Sequence, residues 1–175
     1  MTLLLLHFAA TLFMTGLVWF VQVVHYPLMH RVGGGVFTRY ETEHTRRTSP
    51  VVAPMMLFEL GTGVWLALAP PAAAGSLLLL INAAVLAVIW GSTIVLQRPL
   101  HRDLAQGFAA NSVDRLVSTN WIRTVAWSLR ALLLLSVLQM SVTSMPATSL
   151  PGQQPQAPPA AAAQSLPPIQ GVLLK

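Results

Sequence analysis

The chain contains no cysteine. Disulfides, thiolate metal ligands, iron–sulfur clusters and cysteine nucleophiles are excluded together, although a redox compartment is not identified. Charge is scarce as well. Only 9% of the 175 residues are Asp, Glu, Lys or Arg, where a soluble domain carries about a quarter. The net charge is +5, yet no dense basic stretch exists. Nine of the ten basic residues lie in or beside two connecting segments or within the last apolar run. That is the pattern of loops flanking membrane helices, and it argues against nucleic-acid binding. Gly33, Gly34 and Gly35 follow no strand, so they are a flexible break and not a phosphate-binding loop.

Apolar residues are abundant, at 54%, and they fall into four runs at about 3–24, 51–69, 76–96 and 121–142. Each is close to the ~20 residues that an α-helix needs to cross the hydrocarbon of a bilayer. The expected fold is all-α: a bundle of four transmembrane helices over residues 1–143, followed by a disordered Pro/Ala-rich tail over 144–175. The tail's prolines and polar spacers cannot continue a helix or build a core. The first run lacks a basic leader and a small-residue cleavage site, so it reads as a retained helix and not a secretory signal.

The segments 26–50 and 97–120 read as loops and carry Arg31, Arg39, Arg46, Arg47, Arg98, Arg102 and Arg115, whereas 70–75 carries no charge. Positive-inside bias places the two basic loops in the cytoplasm and both termini outside. A short repeat is visible: Trp19, Gln22, Pro27 and Leu28 recur as Trp90, Gln97, Pro99 and Leu100, each set closing a helix and opening a basic loop.

Two charges lie deep in the apolar runs, Glu59 and Arg130. Counted at 1.5 Å per residue, both sit about 12 Å in from the basic side. They are therefore candidates for a structural ion pair, the common fate of intramembrane charges. The alternative is functional, with Glu59 accepting a proton or holding a cation. Of the histidines His7, His25, His30, His44 and His101, all but His7 fall on the basic side. Gln22 and His25, and likewise Glu41 and His44, are spaced to share a helix face. His25, His44, His101 and Glu59 are candidate metal ligands, with iron, copper or haem as the candidate cofactors. The plain alternative for Glu41 and His44 is a surface helix, 36–47, with its charges in water. Met55 and Met56 could be soft copper ligands, but packing explains them too. Asn120 reads as the N-cap of the last helix, with Trp121 at the interface and Arg123 snorkelling. If they turn inward, His25, His101, Asn120 and Arg123 form a polar pocket beneath Trp19, Tyr26, Trp90 and Trp121, suited to a flat lipid-soluble molecule.

Gln22, His25 and Pro27, with Glu59 and with Asn120, Trp121, Arg123 and Thr124, resemble small bacterial four-helix integral membrane proteins of unknown function. More distantly the pattern is similar to the anthrone-oxygenase-like domain of unknown function. The resemblance covers about 3–142. It implies a bacterial inner-membrane location and oxidation of a flat aromatic or quinone-like substrate, with or without a metal. Candidate catalytic groups on that reading are Glu59, His25 and Asn120, with His101 as a further proton acceptor. Membrane lipids, and a homo-oligomer or membrane complex, are the expected partners. Two other readings stay open: a non-catalytic accessory or assembly protein whose Glu59–Arg130 pair is structural, and a small proton or cation transporter.

Overall fold

In lipid, an apolar run can satisfy its backbone only by hydrogen-bonding within itself. The computed structural model, which describes residues 1–71 and 75–144, accordingly consists of helices joined by short connections, with no strand among the described residues. Four helices are long and apolar enough to cross a membrane: α1 (Thr2–Arg31), α2 (Gly34–Leu68), α3 (Ser76–Leu104) and α4 (Ala110–Thr143). They pack as a ring in which α1 adjoins α2, α2 adjoins α3, α3 adjoins α4 and α4 adjoins α1. The expected tail lies, from residue 145 onward, outside the described residues.

The helices are longer than their apolar runs. They have 30, 35, 29 and 34 residues, or about 44–52 Å at 1.5 Å per residue, well beyond ~30 Å of hydrocarbon. The excess lies at the basic end, the end carrying the α1–α2 and α3–α4 connections. Most of what the sequence offered as loops, 26–50 and 97–120, is therefore helical. The reason is a further core beyond the apolar runs: Tyr26, Met29, Phe37, Leu100, Leu104, Val113 and Leu116 bury one another there. The stretch 36–47 is no separate surface helix, because Phe37 and Glu41 are fully buried. Pro54 is consequently deep inside α2 and not in its first turn.

Along its axis the bundle alternates apolar and polar layers. At the end away from the basic connections, Leu4, Leu66, Leu79, Leu134, Val137 and Leu138 form the first apolar layer. A polar layer of His7, Thr11, Glu59, Asn82 and Arg130 follows. A second apolar layer contains Met14, Val18, Met56, Ile89, Ala126 and Trp127. A second polar layer, with Gln22, Glu41, Gln97, Asn120 and Arg123, precedes the apolar core of the basic end. Met56 thus packs as core.

Two departures from α-geometry occur at matching places. One wide π turn spans Val21–His25 and another spans Thr93–Gln97. In each, the backbone N–H just beyond the turn reaches back five residues, from Tyr26 to Val21 and from Arg98 to Thr93. A proline follows directly in both, Pro27 and Pro99. Proline lacks an N–H and crowds the carbonyl four residues back, and a widened turn relieves that crowding. The repeat read in the sequence thus coincides with a repeated backbone feature.

Candidate functional site

The deeper polar layer is a closed network drawing on all four helices. Glu59 Oε1 accepts from Arg130 Nη1 at 2.6 Å and from Thr11 Oγ1 at 2.7 Å. Its Oε2 accepts from Trp127 Nε1 at 3.0 Å. Arg130 also donates through Nε to Asn82 Oδ1 at 3.3 Å and through Nη2 to His7 Nε2 at 3.1 Å. With Nε2 accepting, His7 carries its proton on Nδ1 and donates it to Thr62 Oγ1 at 2.7 Å. Thr62 in turn donates to the Phe58 carbonyl at 2.6 Å. Gly63 lets the helices close over this layer, since a Cβ there would stand 3.0 Å from Leu86 Cδ2 and 3.3 Å from His7 Cε1. His7, expected near headgroups or a neighbouring helix, is a buried member of the network at 1% exposure.

The second polar layer is arranged differently. Glu41 Oε1 meets His101 Nδ1 at 2.6 Å, and His101 Nε2 meets the Tyr26 hydroxyl at 2.9 Å. An ionised carboxylate only accepts, so Nδ1 carries the imidazole proton and Nε2 accepts from Tyr26. His25 Nε2 and His44 Nδ1 lie 2.9 Å apart and share one proton, with Thr48 Oγ1 3.2 Å from the same His44 nitrogen.

Asn120 is not an N-cap. It stands ten residues beyond the α4 start at Ala110, fully buried, and donates to Gln22 Oε1 at 2.9 Å. Arg123 does not snorkel either. It is 7% exposed, donates to Asn120 Oδ1 at 3.2 Å and lies 5.3 Å from the Trp127 ring. The physical reason is the same for both: α4 runs on past its apolar stretch, so this turn faces the bundle axis and not the headgroups.

A cavity of about 410 Å³ opens at this level. Met14, Val18, Val52 and Met56 supply apolar wall, and Tyr26, His44, Gln97, His101 and Arg123 supply polar lining. Its exposed lining residues Ser49, Ala53, Ile94 and Arg98 all belong to α2 or α3, so the mouth lies between those helices. Of the four aromatics expected over such a pocket, Tyr26 and Trp90 line it. Trp19 and Trp121 instead meet edge to face at 5.6 Å on the outside of the α1–α4 pair, at 42% and 44% exposure.

The candidate ligand set divides. His25, His44 and His101 come together, with ring centroids 4.4 Å apart for His25–His44 and 5.5 Å for His44–His101. Glu59 does not join them, since it lies in the other polar layer. His30 faces outward and pairs with Asp114 at 3.0 Å. Among the described residues no three His, Asp or Glu side chains are grouped to hold a metal ion. Both His101 nitrogens are engaged, and His25 and His44 bond each other. This donor set does not fit iron or copper. The residues missed in the sequence are Thr11, Asn82, Gln97 and Tyr26's hydroxyl. Asn82 carried a signal, being the one amide in the apolar run of α3. No family model matches this chain, and neither a curated protein nor a solved structure does.

Proposed function

We propose that this chain is a multi-pass membrane protein, basic end in the cytoplasm and both termini outside, that takes a flat lipid-soluble molecule sideways from the bilayer. The cavity between α2 and α3 receives it, and the class of chemistry is oxidoreductase- or oxygenase-like, as the resemblance implies. The observation that carries this reading is the composition of the cavity. Apolar wall from the middle layer of the bundle, Met14, Val18 and Met56, meets Tyr26, His101 and Arg123 in the same space. Drug-sized ligands are held by such sites, with mostly apolar lining and a few convergent polar groups.

The residues supply proton removal. Glu41 fixes the His101 tautomer and stabilises the imidazolium that forms, so Nε2 is the base. Tyr26 passes its hydroxyl proton to Nε2 and takes one from a hydroxyl of the ligand. One proton has then moved from ligand to His101, and the ligand remains as its anion. His25 and Asn120 hold neighbouring elements in place: His25 against His44, Asn120 against Gln22 and Arg123.

The accessory-protein reading draws on the closed Glu59–Arg130 layer, which has the character of a structural tie. A carrier reading has less support, because Glu59 accepts from three donors, one of them a guanidinium. Binding separates enzyme or binder from accessory. Methyl 2-naphthoate is dialysed to equilibrium against the full chain in phosphatidylcholine nanodiscs and against protein-free nanodiscs. Saturable one-to-one uptake that Ala53→Trp blocks at the cavity mouth is expected. Uptake that never saturates, or that ignores Ala53→Trp, defeats the proposal.

A further inference from the structure

The chain has five acidic side chains, and all are accounted for. Glu41 pairs with His101, Glu43 with Arg46 and Arg47, Glu59 with Arg130, and Asp114 with His30. Asp103 is exposed on α3. Arg123 therefore has no carboxylate within salt-bridge reach among the described residues, although it is 93% buried by its 7% exposure. Its contacts are neutral: a hydrogen bond to Asn120, the Tyr26 hydroxyl and the face of Trp127. Glu41, beyond Tyr26 and His101, is the carboxylate of this layer, and it forms no salt bridge with Arg123. A buried guanidinium without a counter-charge costs several kcal/mol, and this one lines the cavity.

Three of the five unpartnered buried polar atoms among the described residues border the same space. Arg123 Nε and Trp90 Nε1 are buried donors without an acceptor, and Gln97 Oε1 is a buried acceptor without a donor; Glu41 Oε2 and Ser92 Oγ, the other two, belong to residues that do not line the cavity. All three residues line the cavity. Two donors, one of them on a guanidinium that no carboxylate touches, call for an anionic oxygen, and the amide oxygen calls for a hydroxyl.

Resting on the reading of this cavity as a ligand site, we infer that it selects an organic anion: a flat apolar body bearing one ionised oxygen group, held by Arg123 and Trp90, and a hydroxyl that donates to Gln97. A carboxylate and a phenolate both present such an anionic oxygen, and one chemistry recognises both. The preference is set by Arg123, the buried cation of the lining, whereas Arg98 is exposed at the mouth.

The test compares ligands of one shape on the full native chain in phosphatidylcholine nanodiscs at pH 7, each corrected for uptake by protein-free nanodiscs. The probes are 2-naphthoate, its methyl ester, 6-hydroxy-2-naphthoate and 2-naphthol. Naphthoate is expected to bind roughly 10- to 100-fold tighter than the ester, the range that hydrogen bonds to a charged group command. The 6-hydroxyl should add a further factor that Gln97→Leu removes. Arg123→Met should erase the preference for naphthoate while leaving the ester's affinity in place, and the retained ester binding shows that the variant is folded. If phenolate is the better source of the anion, 2-naphthol binding will tighten as pH rises toward its own ionisation while naphthoate binding stays weaker. Equal affinity for naphthoate and ester overturns the inference and leaves the cavity reading standing. No saturable binding of any probe overturns both.

Discussion

Breaking the Glu59–Arg130 pair is the sharpest test of how the bundle is held. Both side chains are fully buried. Glu59→Gln leaves the Arg130 cation with only the neutral acceptors Asn82 and His7. It also turns an amide N–H₂ toward a donor, whichever way it sits among Thr11, Arg130 and Trp127. A buried charge stripped of its partner costs about 3–5 kcal/mol. Arg130→Met leaves a carboxylate with Thr11 and Trp127 alone, a loss of the same size. The double variant Glu59→Gln/Arg130→Met holds no stranded charge, so it should cost about as much as one single change and not the sum, giving a coupling of roughly 3 kcal/mol. Reversible unfolding in mixed detergent and SDS micelles, followed by tryptophan fluorescence, measures all four proteins. Additivity within about 0.5 kcal/mol would show that the two groups do not act as a pair, and the assignment of this layer as the tie across α2 and α4 would fail.

Gly63→Ala should destabilise the same layer by about 1–3 kcal/mol through overpacking against Leu86 and His7, whereas Gly16→Ala, with nothing within 4 Å of a new Cβ, should be neutral or stabilising in the same unfolding assay. Because the chain lacks cysteine, single cysteines at Gly33 and Gly107 can be labelled cleanly: membrane-impermeant maleimide should reach them only from the cytoplasmic face, and labelling from outside reverses the proposed orientation.

The membrane architecture was legible because hydrocarbon thickness writes itself into run length. The Glu59–Arg130 meeting was legible for a related reason: two charges equally far from one membrane face, on helices that run in the same direction, share a level. The basic end was not. Segments 26–50 and 97–120 are polar enough to read as loops, yet every third or fourth residue there, Tyr26, Met29, Phe37, Leu100, Leu104, Val113 and Leu116, is buried. That periodicity was visible, but it competed with Gly33–Gly35, with Pro50 and with the arginines. Asn120 and Arg123 were misplaced as a direct consequence. An asparagine three residues before an arginine looks like a helix start at a lipid surface only if the helix starts there. The cavity could not be read from sequence at all, because it depends on where α2 and α3 part.

Met14, Val18, Met56, Ile89 and Trp127 close the middle of the bundle, and no hydrogen bond among the described residues connects the His7–Arg130 network to the histidines. An ion arriving from either aqueous compartment meets a seal of hydrocarbon one layer thick. Placed across a bilayer, the molecule would keep two buried carboxylates and two buried arginines at separate depths without short-circuiting the voltage across it.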